Sequence, residues 1–217
     1  MNSSKAAILT TIAFSLYSVA GISAESEFTH CGLGPAPGTP EFSTYLKRME
    51  DVRVRLGYLP VCEERLGAYD FAAQIRPNNP AMRFIKFAIL DIANSEFAKF
   101  EYLGAIPDGV VDQRAVMLRR LFRAPDGSLI SLQEIEAENG PRVYSMRKDG
   151  RLVVRRAEAQ ISVIQAPSGR GFSSLSWSEQ GRDLEVTIDR GADKGQTQSR
   201  LVKLAESLPT PLLMQKP

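Results

Sequence analysis

"VMLRRLFRAPDGSLISLQEIE", residues 116 to 136, decides the fold class. Both arms alternate with a period of two, and Pro125-Asp126-Gly127 between them is a strong turn signal. The stretch reads as two antiparallel strands. The same device recurs downstream. In "RVYSMRKDGRLVVRRAEAQISVIQ" (142–165) Lys148-Asp149-Gly150 separates two β-rich runs, and Ile161, Val163 and Gln165 follow on another. In "FSSLSWSEQGRDLEVTIDRG" (172–191) the chain turns near Gln180-Gly181, and Leu184, Val186 and Ile188 point one way. The period then becomes helical in "QTQSRLVKLAESL" (196–208). Leu201, Leu204, Ala205 and Leu208 form a stripe there, Thr197 is placed to cap, and Pro209 and Pro211 stop the helix. Strands joined by short turns predict an antiparallel meander, one face covered by the terminal helix.

Upstream the pattern is helical. In "PEFSTYLKRMEDVRVRLGYLP" (40–60) Phe42, Tyr45, Leu46, Met49, Val52 and Leu56 recur every three or four residues, and Gly57 with Pro60 ends the run. "VCEERLGAYDFAAQI" (61–75) holds a shorter helix. For "NPAMRFIKFAILDIANSEFAKFEYLG" (79–104), Asn79 as cap and Pro80 at the first position predict a helix, with Ile85, Ala88, Ile89 and Ile92 on one side. The alternation Ile85-Phe87-Ile89 admits a strand instead. The expected class is α+β: an N-terminal helical segment with a disulfide (25–104), then an antiparallel β-meander packed against a C-terminal helix (105–217).

Residues 1 to 24 have the parts of an export leader: Lys5, an apolar run from Ala6 to Val19, and a small residue, Ala24, for cleavage. A membrane span needs about 20 predominantly apolar residues, and Thr10, Thr11, Ser15 and Ser18 interrupt this shorter run. The processed chain of about 190 residues suits one ordinary domain or a domain with a helical annex, and no later stretch is apolar enough to span a bilayer. A net charge of +2 is too small for a nucleic-acid binder.

The only histidine, His30, stands beside Cys31, one of two cysteines. Exported chains meet oxidising conditions, so Cys31 and Cys62 are expected to form one bridge. It would close a loop of about 30 residues, worth roughly 3.5 kcal/mol in the chain-entropy model. Lipidation of Cys31 would need small and apolar residues where Phe28, Thr29 and His30 stand. Metal binding would need more ligands than one His and two distant Cys. A Cys–His dyad fails because neighbours in an extended strand point to opposite sides.

"LFRAPDGSLISLQE" (121–134), "LSWSEQGRDLEVTI" (175–188) and "LVKLAESLP" (201–209) together resemble the extracytoplasmic β-rich domain of some bacterial anti-sigma factors and related envelope sensor proteins. The likeness covers roughly Leu103 to Pro209 and rests on the order of turns, tryptophan strand and final helix. It implies a sensing or binding role in the envelope, without catalytic residues. Direct anti-sigma activity does not carry over, because the chain shows no membrane anchor or cytoplasmic sigma-binding segment.

Two side-chain groups invite a chemical reading. Arg119, Arg120 and Arg123 on one strand, with Arg147, Arg151, Arg155 and Arg156 around the next hairpin, would form an outward cationic patch for carboxylates or phosphates if the strands are neighbours. The alternative is a solvated face with cross-strand glutamate partners. Glu134, Glu136 and Glu138 would line one strand face, able in principle to hold calcium or hydrolyse a sugar, but expected to be a soluble strand edge. Trp177 reads as core, with an indole N–H that wants an acceptor. Ser173, Ser174, Ser176 and Ser178 lack the imidazole and strained turn of a serine nucleophile. No cofactor or metal signature occurs.

The expectation is therefore a non-catalytic, exported envelope protein, periplasmic or secreted, that binds a protein or an anionic envelope polymer through its sheet or helices. The alternatives are an envelope hydrolase acting on an anionic or sugar polymer, and a secreted inhibitor or immunity-like protein.

Overall fold

A computed structural model describes residues 29–31, 34–70, 72–75, 80–111, 113–136, 152–193 and 195–210. The leader and the turn expected at 148–150 lie outside the described residues.

Helix α1 (Pro40–Leu56) starts on a proline in its first turn and ends at Gly57, whose φ of 79° supplies the left-handed C-cap. Met49 and Val52 are its buried contacts. A two-residue strand β1 (Leu59–Pro60), a single helical turn α2 (Glu63–Leu66) and short 3-10 turns follow. The remaining strands are β2 (Glu101–Val111), β3 (Arg114–Arg123), β4 (Leu129–Glu136), β5 (Leu152–Val154), β6 (Ala157–Gln165), β7 (Gly171–Glu179) and β8 (Arg182–Ile188), and α3 (Gln196–Glu206) closes the fold.

These eight strands form one mixed sheet in the order β1-β6-β7-β8-β4-β3-β2, with β5 added on β6. It differs from a simple meander. The strands β2-β3-β4 and β5-β6-β7-β8 are two antiparallel arrays, and β4 joins them by pairing with β8, with Leu132 opposite Val186. The seam forms because Ile130, Leu132, Leu184, Val186 and Ile188 are all apolar on the same face and need one shared cover. β1 runs parallel to β6, so the N-terminal segment adds a strand to the sheet.

The first face of the sheet carries the main core. Phe122, Leu175 and Trp177 join the seam residues, and Leu201, Leu204, Ala205 and Leu208 from and just beyond α3 pack on them. Each such buried leucine contributes about 1.5–3 kcal/mol. The helix starts at Gly195, not with a Thr197 cap; the Asp193 carboxylate accepts the Thr197 N–H at 2.9 Å instead.

The helix expected over 79–104 does not form. Residues Pro80–Phe84 and Glu96–Lys99 are 3-10 turns, and the chain between them lies irregularly across the first face as a strap. Leu90 explains why: its N–H donates to Glu134 Oε2 at 3.0 Å and its carbonyl accepts from Arg120 Nη1 at 2.9 Å. Both groups are thereby lost to a helical ladder. Asp91 and Ser95 complete the break by accepting the N–H groups of Ala93 and Phe97.

Strand β2 was not legible in a pattern that began at Val116. Gly104 makes a bulge with φ of 146°, and a Cβ there would meet Ile75 Cγ2 at 2.7 Å. The bulge and Pro107 blunt this sheet edge. Between β5 and β6 the chain turns at Arg155-Arg156, with φ of 52° and 69°. The turn at Gln180-Gly181 has the same left-handed pair, 53° and 73°, matched to the twist of a tight hairpin. Among the described residues no helix is long and apolar enough to cross a membrane.

Candidate functional site

The second face of the sheet is built differently. Residues 59–70 and 72–75 lie over it, seated at one side by Val61 and Leu66 on Ile164 and Ala166. Tyr69 stacks on Phe172 with ring centroids 5.0 Å apart. Beyond that stack the crossing segment stands off the sheet and leaves a cleft of about 350 Å³. Tyr69, Asp70 and Ala72 form its roof; Leu121, Ser131, Phe172, Thr187 and Asp189 form its floor, with Arg170 beside them.

The floor follows from register. Leu121, Ser131, Thr187, Ser174 and Ser162 are successive cross-strand partners on β3, β4, β8, β7 and β6. Four of the five are hydroxyls. The next row, two residues along each strand, is Arg119, Gln133, Glu185, Ser176 and Gln160, polar throughout. Strand spacing of about 4.8 Å makes these rows a regular polar grid. Arg119 donates to Gln133, and Thr187 donates to Glu185 at 3.2 Å. Ser131 is 4 % exposed and lines the cleft, so its hydroxyl is open to what enters there.

Electrostatics in the cleft are nearly balanced. Burial raises the Asp189 carboxyl above the ordinary aspartate value, partly offset by the Leu129 N–H that it accepts at 2.9 Å. Burial likewise raises the Tyr69 phenol, with Glu185 adding to the shift. Asp70 and Asp189 outnumber the single cation, Arg170, among the lining residues.

Among the described residues the expected arginine patch is not assembled. Consecutive residues of a strand face opposite ways, so Arg119 lies on the second face and Arg120 on the first. Arg120 is buried and donates to Glu134 Oε1 at 2.7 Å. Arg123 is exposed at the strand end, 3.7 Å from Glu101. Arg155 is a clamp: its guanidinium grips Glu179, the Leu208 carbonyl and Thr210. Arg156 is exposed on the turn, while Arg147 and Arg151 lie outside the described residues.

The glutamate row is also corrected. Glu134 and Glu136 are buried rather than a solvated edge. Glu134 accepts from Arg120 and from Arg182 Nη1 at 3.1 Å, and Glu136 pairs with Arg114. Arg182 also lies over the Phe87 ring, 5.5 Å from its centroid. Burial lowers the Arg120 guanidinium pKa, and the charge of Glu134 opposes that shift. Glu138 lies outside the described residues.

Cys31 and Cys62 form the expected disulfide, with Cα atoms 5.0 Å apart. His30 turns away from it: its Nδ1 meets the Tyr45 hydroxyl, and its backbone N–H donates to the Pro60 carbonyl at 2.8 Å. Trp177 is core, but its indole N–H finds no acceptor among the described residues. Among those residues no group of three or more His, Cys, Asp or Glu is arranged to hold a metal ion.

No protein-family model, no curated protein and no solved structure matches this chain, so the reading of the cleft rests on geometry alone. The cleft residues Tyr69, Asp70, Ser131, Arg170, Phe172, Thr187 and Asp189 went unnoticed in the sequence. One signal was present: Ser131 sits between Ile130 and Leu132, and Thr187 between Val186 and Ile188, each a hydroxyl opposite a core face.

Proposed function

We propose that this chain is an exported, non-catalytic binding or sensing protein of the bacterial envelope, and that it works through the second face of its sheet. The observation that carries the reading is the contrast between the faces. On the first face α3 and the strap pack on the core, and the charges of Arg120, Glu134 and Arg182 are paired with one another. On the second face a cleft stays open beside a polar grid. A disulfide accords with an oxidising compartment, and the leader-like residues 1–24 support export. An extracytoplasmic sensor domain would place its ligand surface on such an open sheet face.

The test is capture from native envelope extract on immobilised protein, with Asp70→Lys and Arg170→Glu variants as controls. Both residues are exposed, so folding is expected to survive, as circular dichroism will verify. A partner retained by the parent protein and lost at least about tenfold by the variants, a change of about 1.4 kcal/mol, supports the reading. Retention that ignores both variants refutes it.

The hydrolase reading is favoured by one observation: Asp70 and Asp189 both line the cleft, and burial raises the Asp189 carboxyl above its ordinary value, the direction a general acid needs. It is the weaker reading, because Asp189 Oδ1 is already engaged with the Leu129 N–H.

A further inference from the structure

We propose that the cleft and the hydroxyl row leading from it form a binding site for a neutral saccharide chain. This inference rests on the reading of the second face as the ligand surface and names the ligand class.

Three observations converge on that chemistry. First, Ser131, Thr187, Ser174 and Ser162 stand in one row across four strands, running from the floor of the cleft to an exposed position on β6. Such hydroxyls both donate and accept, and the parallel row adds the Ser176 hydroxyl and the Glu185 carboxylate, which already accepts from Thr187. Vicinal sugar hydroxyls need this mixture of donors and acceptors at regular spacing. Second, the Tyr69–Phe172 stack lies beside the row and gives the apolar C–H face of a sugar ring something to rest on. Third, the charges at the cleft nearly balance: Asp70 and Asp189 stand with Arg170 in the lining, and Arg119 and Arg190 act on Tyr69 and Asp189. A balanced lining suits a neutral ligand better than a polyanion, which needs an excess of cations.

Ser131 sharpens the argument. It is a nearly buried hydroxyl that lines the cleft and makes no internal hydrogen bond among the described residues. Its cross-strand partners are Leu121 and Thr187, and an apolar residue in its place would break no internal hydrogen bond. A hydroxyl kept for an incoming partner explains it.

The experiment uses the oxidised protein and backbone-amide NMR, with maltotetraose, chitotetraose and a sulfated polyanion as three separate probes. Maltotetraose represents a glucan and chitotetraose an N-acetylated amino-sugar polymer. The expected result is saturable perturbation of the Ser131, Thr187 and Ser174 amides by at least one neutral oligosaccharide, with a Kd on the order of 1 mM or tighter. Ser131→Ala breaks no internal bond, so it should fold as the parent does and weaken that oligosaccharide by about 5- to 10-fold. The proposal is overturned if neither neutral probe saturates, or if Ser131→Ala binds as the parent does. Perturbation of these amides by the polyanion alone also overturns it, while leaving the second face as a ligand surface. If envelope capture also ignores the cleft variants, the broader reading falls with it.

Discussion

The backbone N–H of Leu90 is bound by the Glu134 carboxylate, 44 residues further along the chain, and the Leu90 carbonyl by Arg120, the partner of that carboxylate. A strap without regular structure is thus fixed by a buried ionic group. Glu134→Gln leaves Arg120 and Arg182 buried without a counter-charge, and should cost about 3–5 kcal/mol in urea unfolding. Replacing Arg120, Glu134 and Arg182 together by apolar residues of similar volume should recover most of that loss. A Glu134→Gln variant as stable as the parent would show that the triad holds nothing in place.

Acid should act in two windows. Burial, helped by the Arg65 charge, holds the His30 imidazole below its ordinary value of 6.5. Below that pH the unfolded chain takes up a proton that the folded chain resists, so stability falls as pH drops from about 7 and levels off below the folded value. Asp126 is held well below its ordinary 3.8, chiefly by Arg200 and then by the Ser128 N–H, so its contribution is lost only at still lower pH. Urea midpoints measured against pH should show the upper step flattened in His30→Gln and the lower one in Asp126→Asn.

Asp189 has the opposite sign. Its folded carboxyl is raised, so its charged form opposes folding, and the stability it adds is present below about pH 4 and lost as pH rises through the folded value. Asp189→Asn keeps an acceptor for the Leu129 N–H and removes the desolvated charge. The variant should match or exceed the parent in thermal stability at pH 7. An activity found in the parent and abolished by this same change would instead favour a hydrolase.

Arg156 holds a left-handed backbone conformation with φ of 69° on an exposed turn. Only glycine adopts it without the penalty of roughly 1–2 kcal/mol that L side chains carry there. Arg156→Gly should therefore stabilise the protein by up to about 1 kcal/mol, because glycine's extra freedom when unfolded takes back part of the gain. Arg155→Gly, which also removes the clamp on Glu179 and Leu208, should destabilise it. Thermal melts of the two variants moving in the same direction would contradict the distinct roles assigned to them.

What could be read from the sequence was local. The α1 spacing ended by Gly57, the Pro125-Asp126-Gly127 and Gln180-Gly181 turns, and the α3 stripe each lie within one element and its immediate neighbours. The Cys31–Cys62 bridge followed from compartment and count. The strap at 85–95 defeated periodicity because its backbone partners, Glu134 and Arg120, lie far along the chain. The burial of Glu134 and Glu136 had a visible clue: they share strand parity with Ile130 and Leu132, and so share the core face. Arg119 and Arg120 carried a similar clue, since adjacent strand residues diverge. For the cleft the local signal stopped at Ser131 and Thr187, because the cleft itself depends on how far Tyr69, Asp70 and Ala72 stand off a sheet that sequence spacing cannot place.

The β4–β8 seam has a kinetic consequence. Its nearest pair, Glu136 and Arg182, is separated by about 45 residues, so the ends must meet before any contact along the seam repays the closure entropy. The β6–β7 and β7–β8 hairpins can zip early, while the apolar side of β4 waits bare for a mate that is synthesised late. A nascent chain delivered from its N-terminus is therefore most prone to clump after β4 has emerged and before β8 follows, and holding factors that act in that interval would govern its yield.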